Sequence, residues 1–315
     1  MSIRIYCMDL RERFERYFLI YQGIREKTRI PLKGLGKNLG LSGRGRTTST
    51  VSRHLMKMYE LQITFKPNLI LRGFENSFVT AYFLRAVSKK DVSSLFTVLK
   101  DDPRISYAIF LSGAYDFFVT SREHCIDFQD GLSVVKKSLM YTPVYTVPYG
   151  WDKEMRECLI SVANADLEKG LLDRELEDFL PWNEIDWHIF HSMRFNARKQ
   201  FTDVGRETGV SSDTVKRRFY ENVLPYCNVA NYFFPKGYDH YSRSFVILHS
   251  DYEKGLVNAL SKLPCTSYVY PLEDELALIL FHEGINDVVT TFLKLEEAGF
   301  IEDHLLLTPA WHWWF

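Results

Sequence analysis

"VGRETGVSSDTVKRRFY", residues 204–220, decides how this chain is read. Gly205 stands four places before Gly209, two serines follow, and three consecutive cations, Lys216, Arg217 and Arg218, come near its end. Two helices that cross steeply can touch only where a side chain is small, which explains a mid-helix glycine despite its cost of about 1 kcal/mol. Gly209 suits a turn residue at positive φ. Ser211 or Ser212 is placed to cap the second helix by accepting from a free first-turn amide. With Val215 buried, Phe219 and Val223 share its face, while Asp213, Thr214 and Arg217 point outward, flanked by Lys216 and Arg218. This is the pattern of a helix-turn-helix.

The same pattern occurs once more. "LGKNLGLS" (35–42) matches "VGRETGVS" (204–211) position by position, and "TVSRHL" (50–55) matches "TVKRRF" (214–219) after a five-residue insertion. Gly36 and Gly40 thus repeat Gly205 and Gly209 at an offset of 169. In the first copy Val51, Leu55 and Met58 are expected inside. Arg53 is expected outside with Ser49, Thr50 and Lys57. The insertion carries Arg44 and Arg46 between glycines, a basic loop suited to phosphate or minor-groove contact. Farther on, "VSSLFTVLKDDPRISYAI" (92–109) aligns with "EKGLVNALSKLPCTSYVY" (253–270), pairing Pro103 with Pro264 and Tyr107 with Tyr268. The chain is two diverged copies of one two-part unit.

Each second part alternates strands and amphipathic helices. In the first, strands over 78–87, 104–111 and 115–121 surround a helix whose Val92, Leu95, Phe96 and Leu99 share a face. A second helix over 123–138 and a strand over 141–147 complete the expectation. The second copy gives strands at 243–249, 266–271, 276–282 and 300–308, with helices over 251–262 and 285–298. Both read as βαββαβ units with one apolar sheet face left to cover. Between the copies, the charge-rich segment 152–180 reads as a helix spanning about 40 Å.

Composition sets the limits. The chain has 315 residues, 46% of them hydrophobic and 25% charged, with net charge −1. Residues 1–60 hold 13 Lys/Arg against 5 Asp/Glu, so +8, which leaves −9 for the remainder and suggests a polyanion-binding end. No apolar run approaches a membrane span, and no apolar signal core precedes the first charges. Five cysteines (Cys7, Cys125, Cys158, Cys227, Cys265) without a CxxC pair argue against disulfides or a metal cluster and for a reducing cytoplasm. His188 and His191 lack ligand partners in the sequence, so no metal is expected.

A helix-turn-helix followed by βαββαβ resembles the Lrp/AsnC family of transcription regulators. Residues 183–219 resemble that family's DNA-binding domain, and "SGAYDFFVTS" (112–121) resembles the turn and strand of its ligand-sensing domain. The resemblance implies an α+β fold: two copies of a winged helix-turn-helix domain followed by a ferredoxin-like domain. The expected boundaries are 1–76, 77–151, a helical linker 152–181, 182–240 and 241–315. It also implies a prokaryotic regulator, not an enzyme and without a cofactor, whose two sheet domains pair as a pseudo-dimer that can associate further as a homodimer. Its partner is double-stranded DNA, met by Arg44, Arg46, Ser49, Thr50, Arg53 and Lys57 on one head. Ser212, Thr214, Lys216, Arg217 and Arg218 serve the other. An amino-acid-like effector is expected at Gly113, Tyr115 and Asp116, where the second copy has "PLEDELALI" instead.

Two alternatives stand beside this reading. Siroheme decarboxylases resemble the same family in fold and are built from two related halves, and His240, His249 and His282 are candidates for such chemistry, although no paired acid and base stand at convincing spacing. A protein-interaction scaffold is the other.

Overall fold

The computed structural model describes residues 2–41, 46–123 and 125–314. Three helices, α1 (Ser2–Glu26), α2 (Leu32–Asn38) and α3 (Arg46–Glu60), open the chain. A short strand, β1 (Asn68–Leu71), leads to β2 (Val79–Ala86), α4 (Val92–Asp101), β3 (Ile105–Ser112) and β4 (Phe117–Ser121). Then come β5 (Leu132–Met140), β6 (Val144–Tyr145) and α5 (Met155–Ala163). The series recurs as α6 (Glu184–Met193), α7 (Phe201–Thr208), α8 (Ser212–Arg218) and β7 (Cys227–Ala230). It ends with β8 (Ser242–His249), α9 (Glu253–Leu260), β9 (Tyr268–Pro271), β10 (Leu276–His282), α10 (Ile285–Glu297) and β11 (Asp303–Trp314).

Both helix pairs follow the residue logic. A Cβ added to buried Gly205 would lie 2.7 Å from the Val210 carbonyl oxygen, and one on Gly36 would lie 2.1 Å from Thr47 Cγ2. Gly40 and Gly209 hold φ of +67° and +73°. Ser211 is the cap of α8, accepting from the Thr214 amide at 3.1 Å. Val51, Leu55 and Met58 are buried in one unit, and Val215, Phe219 and Val223 in the other.

The sheet strands run in the order β5-β2-β4-β3-β11-β8-β10-β9-β6, all antiparallel. Each half contributes four strands in the same relative order, and β6 of the first half adds a ninth at the far edge. The halves join through β11, whose first residues (303–307) pair with β8 and whose later ones (308–314) pair with β3. One face of the first half packs Tyr82, Leu84 and Val119 under α4. Its other face turns Phe83 and Phe118 toward the second half, where Phe118 meets Phe245 at 5.0 Å between ring centres. Beyond β5 the chain crosses straight to the far end of the sheet, with the Tyr141 amide donating to Pro271 and β6 pairing with β9. The two apolar faces therefore cover one another.

Three expectations are corrected here. The segment 123–138 forms no helix among its described residues; residues 132–140 are a strand, because Gly131 at φ +96° turns the chain into the β-branched run "SVVKK". The strand over 141–147 shrinks to Val144–Tyr145, bounded by Pro143 and by Pro148 three residues on, neither with an amide to donate. The segment 152–180 is helical only over Met155–Ala163, so it is no 40 Å spacer. It continues as an extended strap, fixed by the buried Glu253 carboxylate, which accepts from Leu172 N and from Arg174 at 2.5 and 2.7 Å.

The helical units are interlocked with the opposite halves. Phe18 of α1 stacks on Trp151 and meets Phe233 edge-on, while α6, α7 and α8 share their core with Leu69, Leu71 and Phe74.

Candidate functional site

The residues expected to read DNA divide into several groups. Arg44 lies outside the described residues, and Arg46 is the first residue of α3. Ser49, Arg53 and Lys57 are exposed on α3 and Thr50 is half-buried. Arg53 converges with Arg13 and Arg16 of α1 on His54, whose imidazole is pushed below its usual range by burial and then by these three cations. On α8, Lys216 and Arg217 are exposed, while Ser212 and Thr214 are half-buried. Arg218 departs from the outward set: its Nη1 donates to the buried Asp186 carboxylate at 3.0 and 3.1 Å.

The expected effector residues sit at the junction of the two sheet halves. Gly113 holds φ +140°, and a Cβ there would lie 2.4 Å from Leu307 Cδ2 on β11. Tyr115 packs on Phe83, and the buried Asp116 accepts from the Ala86 amide at 2.9 Å. The carboxylate thus ties the β3–β4 turn to the end of β2, and none of the three lines the cavity described next.

An aromatic-lined concave feature lies elsewhere. A cavity of about 820 Å³ opens between the sheet and the second helical unit. This is a volume suited to a large organic ligand. Its floor is made by alternate residues of β3, β9 and β10, namely Tyr107, Ile109, Tyr268, Tyr270, Ile279 and Phe281. Tyr145, Tyr232 and Tyr238 extend this aromatic surface, with Tyr145, Tyr232 and Tyr268 about 5.1–5.2 Å apart between ring centres. Burial raises the phenols; Tyr232 and Tyr238 are each pushed up to about 12. Each hydroxyl thus stays protonated at neutral pH, able to donate to an anion.

The rim is cationic. Arg104, Arg122, Arg194, Arg243 and Lys66 line the cavity, against one carboxylate, Glu123. Arg104 is already paired with Asp102 at 2.6 Å. Arg122 donates to the carbonyls of Leu71 and Ser77, and burial lowers it to about 10. Among the described residues no carboxylate pairs with Arg122 or Arg194. Arg243 lies over the Tyr238 ring and donates to its hydroxyl at 3.2 Å. At the outer edge of α6, His191 stacks on Trp187 with ring centres 5.6 Å apart. Burial, then Arg194 and Arg122, push its imidazole below the usual range, favouring the neutral ring.

Sequence reasoning missed this site because no motif carries it. Its one trace was Tyr107 aligned with Tyr268, with Tyr270 two residues on along the same strand face. His240, His249 and His282 do not line the cavity.

No protein-family model matches the sequence, and no curated protein matches it. Among solved structures it is similar to the siroheme decarboxylase NirDL, with a TM-score of 0.54 and 10% identity over 94% of this chain and 91% of that one. The same enzyme in complex with an iron-uroporphyrin III analogue gives 0.49 at 10% identity, covering 95% and 92%. AsnC from E. coli gives 0.29 at 14% identity, covering 40% of this chain and 89% of its own. The likeness to the decarboxylase is one of fold. It corrects the expectation of a non-enzyme, since the architecture shared along nearly the whole chain is one that an enzyme uses.

Proposed function

We propose that the chain binds a flat, polycarboxylate tetrapyrrole in the cavity and acts on one of its carboxylates, as a decarboxylase of the siroheme type does. The observation that carries this reading is the pairing of two surfaces. A broad tyrosine floor suits the face of a conjugated ring, and a rim of arginines with one opposing carboxylate suits anionic side chains. The overall likeness to a siroheme decarboxylase supports it. Loss of carbon dioxide leaves a carbon that must take up a proton. The lining groups able to carry one there are the tyrosine hydroxyls and His191.

The test is a titration of the purified protein with uroporphyrin III, an octacarboxylate porphyrin, followed by its visible absorption. The expected result is a saturable band shift at equimolar porphyrin. Replacing Arg122 or Arg194 with Ala weakens it by roughly tenfold or more, the scale of one charge-assisted hydrogen bond. No shift in the parent protein, or undiminished binding when both arginines are replaced, sinks the reading.

The convergence of Arg13, Arg16 and Arg53 beside His54 favours a second reading, a duplex-binding surface on α1 and α3. Arg53→Ala tests it by a loss of DNA retention at low salt that leaves porphyrin binding unchanged.

A further inference from the structure

The two helical units grip one another through a pair of arginines outside the cavity lining. Arg29, between α1 and α2, donates from Nη1 to the carbonyls of Ala197 at 2.7 Å and Lys199 at 2.9 Å. Its guanidinium carbon lies 3.9 Å from the centre of the Phe201 ring. Arg198, between α6 and α7, returns the grip, donating to the carbonyls of Thr28 at 2.6 Å and Ile30 at 2.9 Å. Arg29 and Arg198 stand 169 positions apart, the offset that relates Gly36 to Gly205. Their acceptors obey it too: 28 matches 197 and 30 matches 199. The clasp is a contact between repeat mates across a pseudo-twofold axis.

Both units border the cavity, the first through Tyr59 and Lys66, but the α6 side carries His191 and Arg194. The turn that Arg29 holds directly continues α6, the helix that contributes Trp187, His191 and Arg194 to the rim. From the other side, Leu69 donates to the Arg194 carbonyl and Ala197 donates to Pro67, each at 2.8 Å. Lys199 Nζ reaches back to the Ser192 carbonyl at 3.3 Å.

We propose that Arg29 is a positioning residue for the cationic rim: by clasping the 197–199 turn it sets where α6 holds Arg194 and His191 against the cavity. The functional weight of this rests on the cavity reading above, but the clasp is testable without a ligand. Both bonds leave one nitrogen, and the planar guanidinium that carries it is held over the Phe201 ring, a placement that a lysine ammonium does not reproduce. Arg198 grips the α1–α2 turn, so its side chain acts mainly on the first unit.

The experiment is a proton NMR titration of the His191 ring in ligand-free protein, assigned with His191→Gln. In the parent the expected titration lies below the ordinary value of about 6.5, since burial and the neighbouring Arg194 and Arg122 lower it. Arg29→Ala moves it up toward that value, and Arg198→Ala leaves it near the parent position. An unchanged titration in Arg29→Ala, or an equal rise in Arg198→Ala, overturns the proposal. If Arg29→Ala does not fold, Arg29→Lys gives the reading, with a rise in the same direction expected and no rise overturning it. Should the titration move as expected while the parent never binds uroporphyrin III, the clasp stands and the cavity assignment falls.

Discussion

At residue scale, a buried imidazole with an unpartnered nitrogen is tolerable only while neutral. His282 is 3% exposed, with Nε2 2.9 Å from Ser244 Oγ and no partner for Nδ1 among the described residues. Burial lowers its proton affinity, and His54 and His191 are lowered as well. Because the folded values lie below the unfolded value of about 6.5, their contribution is complete above that pH and is lost as pH falls through it toward the folded values. The melting midpoint should therefore hold from pH 8 to 7 and fall below about 6.5. His282→Gln keeps a partner for Ser244 and cannot titrate, so it should make that fall shallower; an unaltered slope places the proton uptake elsewhere. Arg218 presents a second case. Arg218→Ala leaves Asp186, with its side chain 1% exposed, without the cation it pairs with, and such losses cost about 3–5 kcal/mol. A drop in denaturation midpoint of that size is expected. A stable variant with weakened DNA retention would return Arg218 to the outward face.

At the scale of elements, what the sequence revealed and what it hid separate by range of interaction. Helix pairs were legible because Gly205 is demanded by a contact within ten residues and Gly209 by its own positive φ. Gly205→Ala should thus destabilise by about 1–3 kcal/mol, even though alanine favours a helix, since its Cβ would press the Val210 carbonyl. A variant as stable as the parent in denaturant titration would show that α7 and α8 can separate at no cost. The strand at 132–140 was hidden, since what holds it is its ladder with β2, some fifty residues earlier in sequence. The strap after α5 was hidden for the same reason. Its composition favours helix, but Glu253 and Arg174 fix it as an extended chain. Arg174→Ala should free that strap and open it to limited proteolysis between 164 and 180; an uncut strap would show that its backbone bonds suffice. The cavity was least legible of all. Its lining comes from segments scattered between residues 59 and 309, and only the fold brings them to one place.

At the scale of the whole molecule, charge and symmetry part company. The repeat is a pseudo-twofold, yet residues 1–60 carry +8 and the rest −9. On α8 one of three cations is spent on Asp186, whereas Arg13, Arg16 and Arg53 gather on the first unit. The reciprocal clasp between the units also prevents α3 and α8 from being aimed independently. If the chain binds duplex DNA, binding should therefore be one-sided and electrostatic. With about four to six phosphates met, log affinity should fall against log salt with a slope near −4 to −5. Arg53→Ala should flatten that slope by about one unit while Arg217→Ala changes it little. Equal effects of the two substitutions would mean that both units touch the duplex. A slope near zero, or no retention at low salt, would assign the basic end to some other anion and leave the cavity as the chain's main point of contact with its ligand.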